Sequence, residues 1–248
     1  MQKLYIPLLF TGLILSSILL HSCFAIQRGD EYKALAPGEW RGLFVFGEGE
    51  SAEKVPVNFI VKQNSKKHPD IFFKNGTELV PSDSISVWGD TIYAFYNQKQ
   101  QYLRLIYEPG LIQGFFYDTN KKNYPVEFYA KFGPKHRFPD LRIKPNYAIE
   151  GNWAMDILKE NGELSFYSLK LKVKANDIQA ELQSTKDSQA QKLEGCIQGK
   201  QIFLSAFNGK EIIYLKGELK DSITMGKGTI RFNMEEMAFS AKKQVIAQ

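Results

Sequence analysis

Apolar and polar positions alternate with a period of two along much of the chain. Val55, Val57, Phe59 and Val61 share one face of VPVNFIV. The run Leu169-Lys170-Leu171-Lys172-Val173-Lys174 alternates strictly, and Ile178, Ala180 and Leu182 keep the same period. Successive side chains of a strand point to opposite faces, so this pattern predicts sheets with one dry and one wet face. Turn signals punctuate the strands at short spacing: Asn75-Gly76, Glu108-Pro109-Gly110, Asn161-Gly162 and Asn208-Gly209. The last lies inside LSAFNGKEIIYL and predicts a tight hairpin, because Asn-Gly tolerates the positive φ angles of a two-residue turn. No window carries a long helical period. The expected class is all-β and antiparallel, built as barrels or sandwiches.

The pattern also repeats. Gly38-Glu39-Trp40 recurs as Gly151-Asn152-Trp153, Gly89-Asp90-Thr91-Ile92-Tyr93 as Gly199-Lys200-Gln201-Ile202-Phe203, and Phe128-Tyr129-Ala130-Lys131 as Phe239-Ser240-Ala241-Lys242. Three matches in one order at nearly one spacing predict two tandem β-modules, residues 34–133 and 149–243. Between them, 134–148 is rich in Pro and Lys and reads as an extended, solvated connector, with a membrane-headgroup contact of its basic run as the alternative.

The N-terminus reads as targeting rather than fold. Lys3 precedes 17 uncharged residues, 4–20, and then Leu20-His21-Ser22-Cys23. A positive start, an apolar stretch and a small residue before the cut make a secretory signal. A cysteine directly after that small residue resembles the bacterial lipoprotein signal, which implies lipid on Cys23. The expected division is signal peptide 1–22 and tether 23–33. An uncleaved anchor helix and an ordinary cleaved signal are the alternatives.

Composition narrows the function. A net charge of +5 spread over both halves excludes a nucleic-acid surface. There are two cysteines; with Cys23 lipidated, Cys196 is a lone thiol in an apolar strand, expected as a small buried hydrophobe rather than a reactive group. His68 and His136 lie in Lys- and Pro-rich loops with no neighbour to orient a base. Gly47-Glu48-Gly49 reads as a hairpin tip, and Glu235-Glu236 as a turn. No serine elbow, zinc helix or phosphate loop is present. No enzyme, metal or cofactor is expected.

Two resemblances add to this. A Gly-x-Trp opening a β-module, with a basic residue in its last strand, resembles the calycin arrangement of lipocalins. It implies that Trp40 pairs with Lys131 and Trp153 with Lys242, each lysine lying over its indole, with Trp153→Ala more damaging than Lys242→Ala. LAPGEWRG, IEGNW and LEGCIQGKQIFLSAFNGKEIIYLKGEL are similar to the N-terminal region of Bacteroidetes thioredoxin-like disulfide reductases, often called TlpA-like, most specifically in the LEG and LS-x-F-x-G runs. The chain has no Cys-x-x-Cys and runs to Gln248, just past the second module. The resemblance therefore implies the accessory region and an envelope location, not reductase activity.

Aromatics crowd the first module, among them Tyr93, Phe95, Tyr96, Tyr102, Tyr107, Phe115, Phe116, Tyr117, Tyr124, Phe128 and Tyr129. Its strands are expected to carry them on both faces, the outer one packing on the second module or binding a ligand or partner. The first functional reading is a non-enzymatic, lipid-anchored envelope protein, facing the periplasm or cell surface, whose β-modules bind a partner protein or a small apolar ligand. An accessory module for a separate thioredoxin-like protein, and an enzyme with an unrecognised site, are the alternatives.

Overall fold

The computed structural model describes residues 35–63, 68–120, 125–139, 141 and 143–244. The signal 1–22, Cys23, the tether 23–33 and Tyr124 lie outside the described residues. The protein is all-β and consists of two tandem modules.

The first holds β1 (Gly38–Phe46), β2 (Glu53–Gln63), β3 (Pro69–Asn75), β4 (Glu78–Pro81), β5 (Ser84–Trp88), β6 (Thr91–Tyr96), β7 (Gln101–Glu108), β8 (Leu111–Asp118) and β9 (Val126–Phe132). They form one sheet in the order β4-β3-β2-β1-β9-β8-β7-β6-β5. Its two edges, β4 and β5, are separated by only Ser82 and Asp83. The Ser82 N–H donates to Ile71 O of β3, and the Asp83 N–H to Phe95 O of β6, at 3.0 and 2.8 Å. One bent strand thus changes partner midway. The sheet wraps around as an eight-position ring whose last seam is made by the chain rather than by a ladder.

The second module holds β10 (Gly151–Leu158), β11 (Leu164–Lys174), β12 (Asp177–Ser184), β13 (Gln191–Gln198), β14 (Gln201–Phe207), β15 (Ile212–Leu219), β16 (Thr224–Phe232) and β17 (Glu235–Lys243). These close into a barrel in sequence order, with β17 back on β10. The inward positions expected from period two, Leu169, Leu171, Ile178, Ala180 and Leu182, are all buried in its core.

The Gly-x-Trp repeat has a physical cause. Gly38 and Gly151 sit at φ +133° and +132°, a conformation that side chains disfavour. A Cβ there would lie 3.0 Å from the Phe132 ring or from the Lys243 stem. Two residues on, each indole is fully buried and donates its N–H to the carbonyl four residues back, Trp40 to Ala36 O and Trp153 to Ile149 O. The same device plugs the same end of both modules.

The expected Trp–Lys contacts are corrected. Trp40 is directly opposite Phe132, and Lys131 is opposite Arg41. Trp153 is opposite Lys243, and Lys242 is opposite Ala154. One step along a strand reverses the face, so Lys131 and Lys242 are exposed on the outside. Trp40 is covered instead by aromatic rings: Phe59, Tyr107 and Phe132 lie at 6.0, 6.3 and 5.3 Å between centroids.

Candidate functional site

Strand alternation sends the loops after β10, β12, β14 and β16 to the end of the second barrel opposite Trp153. They surround a mouth of about 540 Å³. Its floor is Tyr167, Leu182, Phe232 and Met237, with the Tyr167 and Phe232 rings stacked at 6.2 Å. Burial raises the Tyr167 pKa. A hydrogen bond with Ser184 lowers it, but the charges of Asp187 and Glu211 raise it further, and the net shift is upward. The phenol is therefore a protonated donor at neutral pH. The rim is acidic: Glu160, Asp187, Glu211 and Glu235 face Lys159, which already pairs with Glu163 at 3.3 Å. Below the floor the barrel is packed solid by Trp153, Met155, Ile157 and their neighbours.

The corresponding end of the first module is sealed. Phe207, at the end of β14, points outward from its own barrel and inserts among Phe44, Phe73, Tyr96 and Phe116, with centroids 4.6 to 5.4 Å away. It has no solvent exposure. Asn75 clamps it from both sides: Nδ2 donates to Phe207 O at 3.0 Å, and the Phe207 N–H donates to Oδ1 at 3.3 Å. The hairpin tip follows it in, since a Cβ on Gly209 (φ +86°) would lie 3.3 Å from Tyr96. Ser205, two residues before the plug, donates its hydroxyl to Pro56 O. The LS-x-F-x-G run is thus the joint between the modules.

The connector takes part in this joint, which corrects its reading as a solvated linker. Arg137 is 3% exposed. Its Nη1 donates to Ser205 O at 2.6 Å, and its Nη2 donates to Lys74 O and pairs with Glu194 at 3.4 Å. Burial lowers the guanidinium pKa and Glu194 offsets part of this, leaving it at about 10, so it remains charged at neutral pH. A second bridge joins Glu53 of β2 to Lys216 and Arg231 of the barrel. Burial pushes the Glu53 carboxyl up, but the two cations outweigh it and its pKa falls below the usual range.

The other candidates carry less chemistry. Cys196 is 8% exposed beside a cleft of about 500 Å³ that His136, Arg137 and Glu194 also line, and Gln198 Nε2 donates to its sulfur at 3.6 Å. His68 and His136 are exposed. Gly47 and Glu48 lie in the turn after β1, but Glu235 and Glu236 open β17 rather than forming a turn. Among the described residues no group of three His, Cys, Asp or Glu is placed to hold a metal.

Strands β6 to β8 do carry aromatics on both faces. Outside, Tyr93, Phe95, Tyr102, Phe115 and Tyr117 form a chain of ring contacts, in which Tyr93 stacks on Phe95 and Tyr102 on Tyr117 at 4.7 Å and 10°, while Phe95–Tyr102 and Phe115–Tyr117 are tilted. Rings that cover each other's faces make a cross-strand ladder that stiffens the sheet. The second module does not pack there; it meets the first mainly through β14 against β2 and β3.

No model of a known protein family matches the chain, and no curated protein matches it. Among solved structures it is similar to a protein of unknown function from the DUF3598 family of Nostoc punctiforme, at 10% identity and a TM-score of 0.27 over 84% of this chain and 96% of that one. It is also similar to a candidate outer membrane protein of Bacteroides fragilis, at 9% identity and a TM-score of 0.28 over 84% of this chain and 97% of that one.

Proposed function

We propose that the protein is a non-enzymatic, lipid-anchored protein of the cell envelope that binds a small amphiphile in the mouth of its second barrel. One observation carries the binding half: two modules of one plan differ at the same end, the first filled by Phe207 and the second left with a mouth of about 540 Å³. That volume and its mixed lining suit a small ligand with an apolar body and a polar end. The acidic rim favours a head that is an amine or a neutral hydrogen-bonding group over a carboxylate. A medium-chain alkylamine should therefore bind measurably tighter by calorimetry than the carboxylate of equal length, and Met237→Arg should abolish binding of both without unfolding the barrel. Equal affinities, or binding that survives Met237→Arg, would rule out this site.

The anchoring half rests on Leu20-His21-Ser22-Cys23. On cell fractionation, Cys23→Ser should leave the lipid-modified membrane pool that the parent occupies. Retention with unchanged lipid labelling would mean that Cys23 is not the anchor.

A further inference from the structure

The Trp40 end of the first module is where the described chain begins: Leu35 is buried there and Ala36 O accepts the Trp40 N–H. The same end presents the turn after β5, the turn between β7 and β8, and the end of β9. Each carries an exposed large apolar side chain, Trp88 at 75%, Leu111 at 50% and Phe132 at 41%. Leu111 and Phe132 are neighbours, since the Phe132 N–H donates to Gly110 O at 3.0 Å. The Trp88 indole already donates to Ser86 Oγ at 3.1 Å, so burying it leaves no unpaired donor.

We propose that this end rests on the bilayer, with Trp88, Leu111 and Phe132 in the headgroup region. The inference rests on lipid anchoring at Cys23. From Cys23 to Leu35 the chain can span at most about 40 Å, so a lipid on Cys23 keeps this end close to the membrane. The opposite end of the module is occupied by the Phe207 hairpin, which leaves this rim as the face turned to the lipid. Tryptophan suits such a boundary because its ring is apolar and its N–H polar. A tethered module meets the surface at high effective concentration, so three side chains suffice where a free protein would need more. An apolar groove of about 290 Å³ beside Leu111, floored by Leu43, Ile112 and Ala130, extends the same surface.

Of the three tryptophans, Trp40 and Trp153 are fully buried, so tryptophan emission reports contact at Trp88. The lipidated protein is reconstituted into phosphatidylcholine vesicles, plain or with brominated acyl chains. The proposal predicts loss of most Trp88 emission in the brominated vesicles, and no loss in Trp88→Phe. Equal emission in both vesicles would overturn it. So would emission that ignores bromine but changes as the protein is diluted among more vesicles, because that assigns the rim to a second copy. Failure of the anchor reading shows separately, as membrane retention of Cys23→Ser with unchanged lipid labelling.

Discussion

Phe207→Ala is expected to be among the most damaging single substitutions in the protein. It removes a fully buried ring from the interior of the first module and opens a cavity among Phe44, Phe73, Tyr96 and Phe116. Truncations of this kind cost roughly 3–5 kcal/mol when the surroundings cannot collapse. The four neighbours belong to four different strands, so collapse would need the whole ring to contract. Urea unfolding should show a lower midpoint with little change in slope. Phe203→Ala, on the same outward face of β14 but half-buried beside Phe138, is the control and should cost clearly less. If both variants fall within about 1 kcal/mol of the parent, the plug is not a structural element.

Arg137→Met keeps most of the side chain's volume and removes its charge. Ser205 O and Lys74 O then lose their buried donor, and the half-buried Glu194 loses its cation. Breaking a fully buried ion pair from one side costs roughly 3–5 kcal/mol, and the partial exposure of Glu194 puts this loss at or below the low end of that range. Among the described residues Glu194 would keep the Gly76 N–H, at 3.1 Å, as its one remaining partner in the joint. The double variant Arg137→Met/Glu194→Gln should therefore recover part of the loss, a coupling visible in a double-mutant cycle. Strictly additive losses would mean that Arg137 acts through packing alone.

Much of the fold is legible in the sequence. Period two gives the strands, Asn-Gly gives the β14–β15 hairpin, and the paired Gly-x-Trp segments mark where each module begins. The same period excludes the lysine contacts: if Phe128 and Ala130 face the core, Lys131 must face away, and with Phe239 and Ala241 inside, so must Lys242. Phe207 left a fainter trace. Leu204 and Ala206 line one face of β14, while Phe203 and Phe207 line the other, and a strand apolar on both faces is one covered on both. The burial of Arg137 has no local signal, because Ser205, Lys74 and Glu194 reach it from distant parts of the chain. The barrel mouth is likewise a product of closure: Tyr167, Leu182, Phe232 and Met237 come from four strands, and nothing in any one of them sets it apart from ordinary core.

Binding at the mouth of the second barrel is the claim on which the proposed function rests. Apart from Met1 the methionines all fall in this module, which makes them reporters: Met237 lines the mouth, Met155 and Met225 are buried in the core, and Met234 is exposed at the β16–β17 turn. Methyl spectra of methionine-labelled protein, titrated with a medium-chain alkylamine, test the claim most directly. It predicts a saturable shift of the Met237 methyl while Met155 and Met225 stay in place. A Met237 signal that never moves, or equal shifts of all four methyls, would contradict it.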